Sequence, residues 1–158
     1  MTSSTEPTQA PIRPASAADF PRVERLLTEN GLPLDGVRDA LGDFVVAEAD
    51  GDLVGVAGLQ ICCDDALLRS VAVKPEWRSK GVGRALVTRA ISDAEARGIR
   101  ALYLLTTTAD HYFPNFGFQK VTRNEVPEAI CETDEFTRVC PASATVMSKV
   151  LREPAHIR

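Results

Sequence analysis

Apolar positions along the chain follow two rhythms, one of about 3.6 residues and one of 2, and each change of rhythm marks a new element. Ile12 and Arg13 open a short first strand. Phe20, Val23, Leu26 and Leu27 then recur at helical spacing, with Pro21 in the first turn and Gly31 just past the end. A second short helix is predicted near Leu34 to Leu41. Phe44 to Ala49 and Leu53 to Cys62 read as strands joined at Asp50-Gly51, a pair that tolerates the left-handed backbone of a tight hairpin. Another apolar run, Ala66 to Val73, follows a turn at Asp64-Asp65. A long helix is predicted from Gly83 to Arg97: Gly83, Leu86, Val87, Ala90, Ile91 and Ala94 form one face, Arg84, Thr88, Ser92 and Glu95 the other, and Gly98 stops it. Ala101 to Thr106 is nearly continuously apolar, as a central strand covered on both faces would be. A short helix at Ala109 to Asn115, a strand at Gly117 to Val121, a helical patch at Pro127 to Phe136 and a strand at Ala144 to Leu151 complete the pattern. Residues 1–10 and 153–158 read as tails. With neither repeat nor linker, one α/β domain over residues 11–152 is expected.

Composition narrows the partners. The 158 residues are 44% apolar and 25% charged, with a formal net charge of −4 and a pI near 5.2. That balance lacks the clustered Lys and Arg of a nucleic-acid surface, although a local cluster can still hold a small anion. No apolar run approaches the roughly 20 residues that span a bilayer, and the polar start lacks the apolar centre of a secretory signal. The cytoplasm is the expected location. Cys62, Cys63, Cys131 and Cys140 form no C-x-x-C, and His111 and His156 are not at ligand-like spacing, so no metal site is expected. Free thiols in a reducing compartment are the plain reading, with a trap for a soft metalloid or metal as the alternative.

Chemistry concentrates in Leu68 to Arg84, where a strand runs into a glycine-containing loop that opens the long helix. The first turn of a helix leaves N–H groups without intrahelical acceptors, and its dipole adds partial positive charge. Gly81 and Gly83 lack a Cβ, so backbone can close around a phosphate, while Arg78, Lys80 and Arg84 add cationic side chains. A diphosphate suits this better than a lone carboxylate. The nucleotide pattern G-x-x-x-x-G-K-[ST] is absent, and a dinucleotide fingerprint would follow the first strand rather than the fourth.

Arg78-Ser79-Lys80-Gly81-Val82-Gly83 resembles the [QR]-x-x-G-x-[GA] signature of the GNAT superfamily of acetyl-CoA-dependent N-acetyltransferases. Ser70 to Trp77 resembles that family's fourth strand, and Phe116-Gly117-Phe118 its recurrent x-G-F after the fourth helix. The resemblance implies a mixed, mostly antiparallel central sheet flanked by helices, with strands four and five splayed apart. It implies acetyl-CoA as co-substrate, bound by the backbone of Val71, Ala72 and Val73, by Arg78, and by the amides from Ser79 through Lys80, Gly81, Val82, Gly83 and Arg84. The Val71 N–H would donate to the acetyl carbonyl, where negative charge develops. A homodimer is expected by the same analogy.

Four residues before the x-G-F glycine, relatives carry a tyrosine that protonates the leaving thiolate; here that position is Phe113, and Tyr112 is the neighbouring candidate. The family's glutamate base falls near Leu67, leaving Asp65 and Glu128 as candidates by proximity, or a water chain. Leu104 to Phe113, running to Gly117-Phe118, and Cys140 to Ala144 resemble the acyltransferase domain of N-acetylglutamate synthases and GNAT proteins of arsenic-resistance operons. Both imply a carboxylate-bearing, amino-acid-like amine, which would attack the acetyl group directly in a ternary complex. Arg69, on an expected half-exposed strand, would take the carboxylate, with Ser70, Thr107 and Ser143 adding hydrogen bonds. A non-catalytic acyl-CoA-binding module and a protein or peptide N-acetyltransferase remain open beside this reading.

Overall fold

A computed structural model describes residues 10–78, 80–106, 111–131, 133 and 144–151, the side chain of Ala129 apart. Strand β1 (Ile12–Pro14) precedes helix α1 (Phe20–Glu29) and the short α2 (Val37–Ala40). Strands β2 (Phe44–Ala49), β3 (Asp52–Cys62) and β4 (Asp65–Val73) follow, then α3 (Val82–Ala96), β5 (Ala101–Thr106), β6 (Gln119–Val121), α4 (Glu128–Cys131) and β7 (Thr145–Val150). The sheet has seven strands in the order β1-β2-β3-β4-β5-β7-β6. The β1–β2, β2–β3, β5–β7 and β6–β7 pairs are antiparallel and β4–β5 is parallel. This is the expected mixed, mostly antiparallel sheet flanked by helices. The β4–β5 ladder pairs only Asp65–Leu67 with Ala101–Tyr103, although β4 continues to Val73 and β5 to Thr106.

Two compact units share this chain: residues 1–58 with 70–90, and residues 59–69 with 91–158. In the first, Val23, Leu26 and Leu27 of α1 pack with Phe44, Val46, Val56 and Ala72. A second cluster joins Val45, Ala47, Val54 and Ala57 to Val82 and Leu86 of α3, and it includes Ala10, which is 3% exposed. One end of this unit is tied by Asp19, only 2% exposed. Its Oδ1 accepts from Arg13 and Arg22 at 2.9 and 2.8 Å, and its Oδ2 from Arg13 at 2.8 Å and from the Ser16 amide and hydroxyl at 2.7 and 3.1 Å. In the second unit, Leu67, Val126, Ile130 and Val146 form the core, with Tyr103, Leu105, Cys62 and Cys131 packed against it.

The turns differ from expectation in detail. Asp50 and Gly51 both take positive φ, 54° and 78°, as the hairpin reading required. The β3–β4 turn is Cys63-Asp64 rather than Asp64-Asp65, because Asp65 already pairs with Ala101 in the ladder and is held by Arg100. Phe113–Phe116 is a single 3-10 turn rather than part of an α-helix, ended by Gly117 at φ 94°. The predicted start of that segment at Ala109 lies outside the described residues, as do Cys140, most of the patch after Cys131 and residues 1–9 and 152–158.

Candidate acetyl-coenzyme A site

The β4–α3 connection builds the site. Along β4, Val71 and Val73 pack toward the α3 cluster while Ala72 packs into the α1 cluster, so the strand is held on both faces. Ser70, just before, has φ 58°, a left-handed backbone that a non-glycine residue adopts at a cost of about 1–3 kcal/mol. It is 8% exposed, and it breaks the regular pleat immediately before the Val71 amide.

Beyond Val73 the chain is pinned stepwise. The Lys74 amide donates to the Val54 carbonyl at 2.8 Å, Pro75–Trp77 makes a 3-10 turn, and Trp77 packs against the α3 cluster. The Arg78 guanidinium donates to the Val73 carbonyl through Nε at 3.2 Å and to Asn30 Oδ1 at 2.6 Å. Asn30 in turn donates through Nδ2 to the Leu26 carbonyl at 2.9 Å, capping α1. Arg78 therefore braces the loop from outside, and only its remaining N–H groups are available to an anion. Lys80 and Arg84 are exposed.

Gly81 sits at φ 86° and turns the chain into α3, whose first helical bond runs from the Ala85 N–H to the Gly81 carbonyl at 3.0 Å. The amides of Gly81, Val82, Gly83 and Arg84 thus occupy the four positions that a helix leaves without intrahelical acceptors. Val82 turns its side chain inward, 1% exposed, which commits this turn's side-chain bulk to the core. Backbone donors, a positive dipole end and exposed cations therefore converge on one loop, an arrangement that suits phosphate oxygens.

The acceptor-side residues differ more from expectation. Arg69 is 3% exposed, not half-exposed, because its strand is central in the sheet; its NH1 donates to Gln60 Oε1 at 2.9 Å. Tyr112 is 37% exposed and makes edge-on ring contacts with Phe113 and Phe116 at 5.2 Å. Phe113 is buried and Leu67 fully so. Asp65, 3% exposed, accepts from Arg100 Nε and NH2 at 3.3 and 2.8 Å, and Glu128 is exposed on α4. Ser79, Thr107 and Ser143 lie outside the described residues. Burial, then the neighbouring Cys63 and Asp65, pushes the Cys62 thiol above its usual range, which lowers its thiolate fraction. Among the described residues no group of three His, Cys, Asp or Glu is placed to hold a metal ion, and no helix is long and apolar enough to cross a membrane.

Asn30 and Gly55 are the contributors that the sequence reading missed. Asn30 acts across 48 positions, and no local signal marks it. Gly55 had one, as an isolated glycine inside an apolar strand, which marks close approach by a neighbouring element.

A mixed sheet whose parallel β4–β5 ladder stops early, with a glycine turn leading from β4 into a long helix, is the arrangement that the GNAT resemblance implied. Residues 40–120, just over half of the chain, match the acetyltransferase (GNAT) domain family, and the chain belongs to that family. An amino-acid acetyltransferase of Neisseria meningitidis is 32% identical over 126 residues, covering 74% of this chain and 29% of its own length. The chain thus spans under a third of that curated relative. N-acetylglutamate synthase from Neisseria gonorrhoeae, complexed with coenzyme A and N-acetyl-glutamate, superposes with a TM-score of 0.79 at 25% identity, over 92% of this chain and 36% of that one. A Mycobacterium tuberculosis structure in complex with CoA has the same fold, with a TM-score of 0.76 at 23% identity, and matches over 98% of its own length.

Proposed function

We propose that the chain transfers the acetyl group of acetyl-CoA to the amine of a carboxylate-bearing, amino-acid-like molecule. The observation that carries this is the β4–α3 turn, whose backbone donors and exposed Lys80 and Arg84 suit a diphosphate. The amino-acid acetyltransferase relatives and the likeness to N-acetylglutamate synthase support the acceptor class. Both substrates are held at once. The neutral amine attacks the thioester carbonyl, the Val71 N–H stabilises the oxyanion, the nitrogen gives up its proton to a water chain, and the intermediate collapses by expelling the coenzyme thiolate. The thiolate leaves without a strong acid because its thiol pKa is only about 8.5. Tyr112 is the side chain assigned to its protonation, with water serving where that hydroxyl does not reach. Arg69 receives the acceptor carboxylate, and Ser70, Thr107 and Ser143 are assigned hydrogen bonds to the acceptor.

The deciding experiment is thiol release from acetyl-CoA against glutamate, glutamine and phosphinothricin, the last representing toxic analogues of the kind that the arsenic-operon resemblance implies. Turnover on a carboxylate-bearing member is expected. Coenzyme binding without turnover on any amine would instead favour a non-catalytic binding module. Arg69→Lys keeps the charge but loses the planar fork, so KM for the acceptor should rise at least about tenfold with KM for acetyl-CoA little changed. Equal rises for both substrates would remove Arg69 from the pocket.

A further inference from the structure

We infer that Gly55, in the middle of β3, is a positioning residue for the coenzyme site: it sets the depth at which the first turn of α3 rests on the sheet. The inference rests on the reading of the β4–α3 loop as the site of the coenzyme phosphates.

A methyl group built on Gly55 would lie 2.7 Å from Leu86 Cδ1, 3.0 Å from Val82 Cγ1 and 3.4 Å from the Ala72 carbonyl oxygen. Real Cβ atoms do not approach other atoms as closely as the first of these distances, and the second leaves no slack. Both contacts fall on the opening turns of α3. Val82 is its first residue, lies between Gly81 and Gly83, and is 1% exposed; Leu86 follows one turn later at 0%. Both pack in the same cluster as Val45, Ala47, Val54 and Ala57. Val82 is the stiffer of the two, since branching at Cβ leaves it few rotamers. On this inference the contact is relieved by a shift of the helix start, and with it the amides of Gly81 to Arg84. Gly58, three residues on along the same strand and so on its opposite face, makes the contrast: a methyl there would strike the Phe44 ring of β2 at 2.3 Å, a contact with no helix in it. Gly58 serves the sheet, whereas Gly55 serves the helix terminus.

The test is calorimetric titration of the whole chain with coenzyme A, which reports stoichiometry and Kd separately. Overpacking at the helix start should weaken Kd by about tenfold in Gly55→Ala, with stoichiometry near that of the unsubstituted chain. Gly55→Ala combined with Leu86→Val returns the added carbon and withdraws Cδ1, and should recover most of the affinity. Val82→Ile adds a methylene to the same contact from the helix side and should reproduce the loss if Gly55→Ala does not fold. A lower stoichiometry with unchanged Kd would mean that Gly55 matters only for folding, and would overturn the inference. So would a loss that Leu86→Val leaves untouched, or an unchanged Kd in a folded Val82→Ile. If the unsubstituted chain bound no coenzyme A, the functional reading itself would fall, and this inference with it.

Discussion

Five hydrogen bonds converge on Asp19, from two arginines and the amide and hydroxyl of Ser16. The Arg13 guanidinium, against the opposing cost of burial, holds the Asp19 carboxyl well below the usual carboxylate range. A group whose pKa is depressed on folding contributes stability above its unfolded pKa, about 3.9, and loses it as pH falls from there toward the lower folded value. Thermal stability should therefore decline below about pH 4–5, and the decline should be shallower in Asp19→Asn. At neutral pH that substitution should cost about 1–3 kcal/mol, since it leaves charged donors facing a neutral amide; a melting series from pH 3 to 7 checks both. Arg69 shows the limit of reading single residues. Its type and position were visible in the sequence, but its burial depends on the neighbours that its strand acquires in the sheet, which no local pattern encodes.

At the level of elements, Gly81 and Gly83 separate two roles that the sequence presents as one motif. Gly81 at φ 86° needs glycine for its backbone alone, so substituting it disturbs folding as well as binding. Gly83 lies within α3, where glycine is a poor helix former. Gly83→Ala should therefore raise stability by up to about 0.5–1 kcal/mol while weakening coenzyme A binding, two effects of opposite sign. Thermal denaturation and titration of one preparation would test this, and equal affinity would argue against close approach of phosphate at that position. The elements themselves were largely legible. Ala101 to Thr106 and Phe44 to Ala49 appear with their expected bounds, and Leu86, Val87, Ala90 and Ala94 are buried as the helical spacing required. Periodicity reports which face an element buries, and that information is local. It reported neither the left-handed Ser70 nor the Arg78–Asn30 brace, because the first is imposed by tertiary packing and the second joins residues 48 apart. Most of the loop's composition was thus readable, but not what holds it in place.

For the chain as a whole, ligand linkage gives a direct test. A ligand that binds only the folded form at a hundred times its Kd adds about 2.7 kcal/mol of stability. For a chain of this size that corresponds to a rise in Tm of about 5–10 °C with coenzyme A. The rise should grow with the logarithm of coenzyme concentration, and its absence would count against binding.

The division of β4 at Ser70 also has a consequence for the order of events at the ribosome. The chain passes between its two compact units at residues 58/59, 69/70 and 90/91. All of the first unit is synthesised by Ala90, but the segment from Leu59 to Arg69 has by then been made without β5, its parallel partner. At about 5–20 residues per second, Leu67 waits roughly 2–8 s for the strand that will pair with it. During that interval the nascent protein already carries every residue of the β4–α3 turn, while Leu67 still lacks Val126, Ile130 and Val146, with which it forms a core.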